Sequence, residues 1–84
     1  MDLLKEFEEA VVKSKQLPNQ SNENLLKLYS LYKQSIEGDV NMDKPTNMFD
    51  IAGNAKYNAW EKLKGFSKED AMKAYINLVS ELGS

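Results

Sequence analysis

Apolar positions along the chain return every three or four residues, and nowhere do they alternate for the length of a strand. Four stretches carry this helical period. The first covers residues 2–15, with Leu3, Phe7, Ala10, Val11 and Ser14 on one side. Glu6, Glu8 and Glu9 lie near its start, where negative charge suits the helix dipole. Leu17, Pro18 and Asn19 then break the pattern. The second stretch can be capped by Ser21 or Asn22 and ends near Glu37, because Gly38 fits the left-handed position that follows a helix. A third, residues 51–64, has Asp50 as its cap and Gly65 as its stop, and its expected inner side holds Ala52, Ala55, Ala59, Trp60 and Leu63. The fourth has the clearest start: in "SKEDAMKAYINLVSEL", Ser67 followed by Asp70 resembles a capping box, and Ala71, Met72, Tyr75, Leu78, Val79 and Leu82 form the apolar face. Between the second and third, "DVNMDKPTN" is long for so small a chain and predicts an ordered surface crossing rather than a tight hairpin. The expected fold is an all-α four-helix bundle that is not simply up-and-down, a single domain over residues 1–84 without repeat, low-complexity segment or linker.

The second stretch poses a question. In "LLKLYSLYKQSIEGD", Tyr29, Tyr32 and Lys33 fall at spacings of three and four on a face with Leu25, Leu26 and Ile36. A core helix whose polar tips reach the surface accounts for this pattern. A site wall that needs flat rings, hydroxyls and a positive charge is the alternative, and composition alone favours the core helix. Lys56 in "NAKYNAW" falls one turn before Trp60, beside the expected packing side, and Tyr75 holds the corresponding place in the fourth helix. Should Lys33, Lys56 and the phenols of Tyr29, Tyr32 and Tyr75 converge, they form a patch able to stack on a flat ring and bind an anion. The spacing leaves both readings open. Trp60 reads as a core anchor in either.

Composition then removes whole classes of chemistry. The 84 residues contain no cysteine and no histidine, so disulfides, thiolate metal sites, the commonest general base and His-dependent nucleophiles are all excluded. A formal charge of −2 argues against nonspecific nucleic-acid binding, which relies on a basic surface. The apolar runs are short and "MDLLKEFEEA" is acidic, so neither a membrane span nor a secretory signal is visible, and a cytoplasmic protein is expected. A chain of this size buries only about 60% of the surface its unfolded form exposes, so a ligand belongs in a groove or on a bowl-shaped surface, not in a sealed cavity.

At this point the motifs carry a family resemblance. "YSLYKQSIEGD" resembles the second-helix signature of the acyl-coenzyme A binding proteins, a tyrosine, two residues, Tyr-Lys-Gln and a closing Gly-Asp. "KGFSKEDAMKAYI" is similar to the same family's fourth-helix segment almost letter for letter, and "GNAKYNAW" to the helix between. The motifs follow the family order over nearly the whole chain. The resemblance implies a four-helix bowl with a long crossover between helices two and three. It also implies noncovalent binding and intracellular transport or buffering of medium- to long-chain acyl-CoA esters, by a monomer without catalytic residues, metal, cofactor or stable membrane insertion. Carried over by position, Lys15, Tyr29, Tyr32, Lys33, Lys56 and Tyr75 match contacts to the coenzyme A end, and Phe7, Ala10, Leu25 and Leu26 match positions near the acyl groove.

The sequence also departs from the family pattern. Tyr57 stands where the family has tryptophan after the lysine, Asn54 replaces a basic residue, and "KPTNMFDIAG" is one residue longer. An offset of one residue falls around "LPNQSNEN", and "SELGS" is shorter and less basic than a typical lysine-rich tail, so affinity and preferred acyl length are expected to differ. Two other classes compete. A helical interaction module would show an exposed leucine patch and no selectivity for the nucleotide end, and a thioester hydrolase would have to work without His or Cys.

Overall fold

The computed structural model describes residues 2–83; Met1 and Ser84, the ends of the expected 1–84 domain, lie outside the described residues. Four helices follow one another: α1 (Leu3–Ser14), α2 (Asn22–Glu37), α3 (Ile51–Glu61) and α4 (Lys68–Leu82). The described residues contain no strand.

Each start is set by a side-chain oxygen that takes up an otherwise unpaired backbone N–H. Asp2 accepts from the Leu4 amide, Ser21 from Asn24, Asp50 from Gly53 and Ser67 from Asp70. Of the two candidate caps for α2, Ser21 is the one used. Gly38 stops α2 at φ 80° and ψ −148°, a backbone region open to glycine alone.

Two expectations about faces and ends change. Helix α3 ends at Glu61 rather than residue 64, because the amides after Lys62 reach back three residues: Leu63 donates to the Trp60 carbonyl and Lys64 to that of Glu61. These tighter turns carry the chain to Gly65 at φ 96°. Ala52, expected inside, is exposed, as is Ile51, since the first turn of α3 overhangs its support.

Helix α4 packs against both α1 and α2, and α3 packs against α2 alone. The core joins Phe7 and Ala10 of α1, Leu28 of α2, and Tyr75 and Val79 of α4, with Val11, Leu17, Leu31, Met72, Ile76, Leu78 and Leu82 around them. The Cα extents are 41 × 28 × 15 Å, so the molecule is a slab about two helix layers thick, since packed helix axes lie about 8–10 Å apart and each Cα cylinder is about 4.6 Å wide. Such a slab cannot cover every helix on both sides. The face of α2 left uncovered is the one the sequence assigned to the apolar stripe.

Helix α2 instead buries Leu28, Ser30, Gln34 and Ser35. Ser30 donates to the Lys27 carbonyl (3.1 Å) and Ser35 to that of Leu31 (2.6 Å), so both hydroxyls are satisfied on their own helix and can be buried at little cost. Gln34 is fully buried and ties α2 to the chain beyond α3. Its Nε2 donates to Asp39 Oδ1 and to the Phe66 carbonyl, each at 2.9 Å, and the Gly65 amide donates to the same Asp39 oxygen at 2.9 Å. Trp60, 1% exposed, donates its indole N–H to the Gly38 carbonyl at 2.9 Å. The Gly-Asp pair that closes α2 is therefore a structural knot. It holds the start of the crossover and the C-terminal end of α3 against α2.

Candidate ligand-binding site

The uncovered stripe of α2 consists of Leu25, Tyr29, Tyr32, Lys33 and Ile36, which fall within an arc of roughly 100° on the helix. Leu25 is 51% exposed, Ile36 46% and Tyr32 39%, while Tyr29 and Lys33 are half-buried between neighbours. Three large apolar or aromatic side chains thus stand open along one helix. They form the floor of the bowl.

One wall comes from α1 and α4. Phe7 stacks on Tyr32 with centroids 6.0 Å apart and meets Tyr75 edge-on at 5.2 Å, and Tyr32 and Tyr75 are 6.4 Å apart. Tyr75 is buried and shares a hydrogen bond with Ser14; loss of water around its hydroxyl pushes its pKa above the usual value for a phenol. It is therefore a neutral hydroxyl at physiological pH. The opposite wall comes from α3, where the Lys56 ammonium lies 5.3 Å from the centre of the Tyr29 ring. One turn further along α2, the Lys33 ammonium lies 5.1 Å from the Trp60 ring and pairs with the Glu37 carboxylate. The Glu37 hydrogen bond raises the Lys33 pKa above its ordinary value, so this charge persists across the physiological range.

Tyr29, Tyr32 and Lys33 thus share the open face of α2, Tyr75 meets Tyr32 from α4 and Lys56 reaches Tyr29 from α3; the shallow depression that these residues would border is the candidate site. Lys15 caps the C-terminus of α1 directly after Ser14, is exposed, and no described carboxylate pairs with it. The four residues expected near an acyl groove differ in their surroundings. Phe7 is buried against Tyr32 and Tyr75, and Ala10 is buried in the core between α1 and α4. Leu25 borders an open cleft of about 260 Å³ with Ser14, Leu17, Pro18 and Leu28, whereas Leu26 faces α3 across another of about 330 Å³, with Ala59 and Leu63. Consecutive helical residues point about 100° apart, which is why neighbours in sequence border different clefts.

Sequence reasoning passed over Ser14, which fixes the Tyr75 hydroxyl, and Glu37, which holds Lys33. The Glu37 contact was visible in principle as an i,i+4 charge pair. Chemically, the depression offers phenol faces and hydroxyls, two ammonium groups and an adjoining apolar strip. That set suits a ligand with a flat ring and anionic groups at one end and a hydrocarbon at the other. Among the described residues, no group of three or more acidic, His or Cys side chains gathers to hold a metal ion.

Comparison with known proteins agrees with this geometry. The profile of the family described as Acyl CoA binding protein matches residues 4–79. The chain is 51% identical over 77 residues to the Caenorhabditis elegans acyl-CoA-binding protein homolog 1, covering 90% of this chain and 88% of that one. It is 51% identical over 83 residues to the acyl-CoA-binding protein of Fritillaria agrestis, covering 98% and 94%. The crystal structure of Oryza sativa acyl-CoA-binding protein 2 superposes with a TM-score of 0.92 at 44% identity, covering 96% of this chain and 90% of the rice one. Fold, motif order and sequence thus converge, and the chain belongs to the acyl-CoA-binding proteins, a family of binding proteins rather than enzymes.

Proposed function

We propose that residues 1–84 act as one acyl-CoA-binding domain, a monomer that holds medium- to long-chain acyl-CoA noncovalently and carries or buffers it in the cytoplasm. The observation that carries this reading is the open stripe of α2, with Lys56 over Tyr29 on one side and the Tyr32–Phe7–Tyr75 cluster on the other. In this reading the adenine stacks against the phenols, and Lys33 and Lys56 take the phosphates, with Lys15 adding charge from the rim. The acyl chain leaves the depression past the exposed Leu25, with Phe7 and Ala10 as the packed layer beneath and Leu26 on the flank. Each methylene drawn from water contributes about 0.8 kcal/mol before ordering costs, so tail and head both matter to affinity.

Calorimetry with a long-chain acyl-CoA, free coenzyme A and the free fatty acid tests the proposal. One-to-one binding of the ester, much tighter than of either part, is the expected result. Equal affinity for all three would overturn it. No helix among the described residues is long and apolar enough to cross a membrane, which fits a carrier that shelters the chain itself.

A further inference from the structure

The two ammonium groups of the depression are not in the same state. Lys56 rests over Tyr29, and no described carboxylate lies within ion-pair distance of it. Lys33 is already engaged, clamped between the face of Trp60 at 5.1 Å and the carboxylate of Glu37. Both partners are fixed. Trp60 is pinned by its hydrogen bond to the Gly38 carbonyl, and Glu37 also accepts from Asn41 Nδ2 at 3.3 Å. The nearby Asp39 carboxylate is turned away into the knot with Gln34 and Gly65, so Glu37 is the acid that answers Lys33.

Helix stability does not explain a glutamate at this position. Glu37 is the last residue of α2, where a negative charge opposes the helix dipole, and the last turn of α2 contains no basic residue. The order of the pair, Lys before Glu at i,i+4, is also the less favourable one for a helix. The only returns are an accessible ion pair with Lys33 and a 3.3 Å contact from Asn41, both small, and the residue stands beside a proposed phosphate contact; such positions are where function is expected.

We infer that Glu37 is an affinity-setting residue: its carboxylate competes with the ligand's phosphate for the Lys33 ammonium and repels that phosphate, so the site binds its anionic end less tightly than its lysines alone would allow. This rests on the acyl-CoA reading above. A carrier must also release its cargo, and a built-in carboxylate keeps the head-group contact reversible. Because the pair is a quarter to a third exposed, the competition is of the modest size measured for accessible ion pairs, about two- to fivefold in affinity.

The test measures binding of palmitoyl-CoA at low salt to the intact protein, to Glu37→Gln, to Lys33→Met and to the double variant Lys33→Met/Glu37→Gln, with octanoyl-pantetheine, which has no phosphate, as a second ligand. Glu37→Gln is expected to bind palmitoyl-CoA about two- to fivefold tighter with slower release, to bind octanoyl-pantetheine unchanged, and to melt no lower than the intact protein. Relative to Lys33→Met, the double variant should show less of that gain, since the competition needs the ammonium. Unchanged or weaker palmitoyl-CoA binding by Glu37→Gln, or an equal gain with octanoyl-pantetheine, overturns the inference while leaving the acyl-CoA reading in place. Failure of the intact protein to bind palmitoyl-CoA overturns both.

Discussion

Replacing Lys56 by Met removes one charge from the depression while keeping a side chain of similar length and apolar stem. In the free protein the ammonium lies 5.3 Å from the Tyr29 ring centre, a contact worth about 0.5–1 kcal/mol at an accessible position. Met supplies a sulfur–aromatic contact of comparable size, so the melting temperature should move little. In the complex the same ammonium would donate to a phosphate, and a hydrogen bond between charged groups contributes about 1.5–3 kcal/mol. Subtracting the cation–π contact partly given up on binding leaves about 1–2 kcal/mol, or roughly a five- to thirtyfold loss of affinity. Calorimetry at low salt against palmitoyl-CoA and free coenzyme A reads this directly, and both ligands should lose by the same factor because both carry the phosphates. Raising the salt should shrink the difference, since exposed charges are screened over about 8–10 Å. A normally folded Lys56→Met that binds either ligand within twofold of the intact protein would refute the role given to Lys56.

Further expectations concern the frame behind the site. Trp60→Phe keeps most of the buried ring but leaves the Gly38 carbonyl without its indole donor, and should cost about 1–3 kcal/mol in urea unfolding; an unchanged midpoint would show that this bond does not hold the crossover. Gly38→Ala forces a Cβ into a glycine-only backbone region and should cost about 1–3 kcal/mol by the same assay, whereas a cost-free substitution would show the turn is not held at φ 80°. Asp39 is held below the usual carboxylate pKa of 3.8, chiefly by the Gly65 amide and then by Gln34. Its folded-state pKa lies below its unfolded value, so its contribution is fully present above about pH 4–5 and is lost as pH falls through the folded pKa. Thermal melts from pH 6 to pH 2 should therefore show a smaller acid-induced loss for Asp39→Asn than for the intact protein, and parallel curves would remove Asp39 from the account.

Much of this architecture is legible in the residues. Ser21, Asp50 and Ser67 start their helices and Gly38 ends α2, because caps and stops are local chemistry that a few neighbouring atoms decide. The buried residues of α1 and α4 likewise fall on the expected faces, since each of these helices turns one clean stripe to a partner. Helix α2 is different because α3 and α4 both pack against it. Its covered side carries two serines whose hydroxyls bond to their own helix and a glutamine whose Nε2 bonds to Asp39 and Phe66 while its Oε1 stays buried without a partner, and hydrophobic periodicity cannot mark them. The apolar stripe of Leu25 and Ile36 was thus visible while its exposure was not, for exposure depends on how thin the slab is. The end of α3 at Glu61 was equally hidden, because i→i−3 bonds continue the same sequence pattern to Gly65. Among the proposed site residues, Tyr29, Tyr32, Lys33, Lys56 and Tyr75 could be named from spacing and family resemblance. Their pairing with Trp60, Ser14 and Glu37 required the fold.

The most direct test of where the ligand sits is a titration of isotopically labelled protein with palmitoyl-CoA, followed by amide and side-chain NMR to one equivalent. Signals of Tyr29, Tyr32, Lys33, Lys56 and Tyr75 should shift together and saturate at one-to-one, with Leu25 following only when the acyl chain is present. Val12 and Ser80, which lie outside the depression, should stay in place. Saturable shifts centred on α1 and the outer side of α4, with the α2 tyrosines and Lys56 unmoved, would contradict the account.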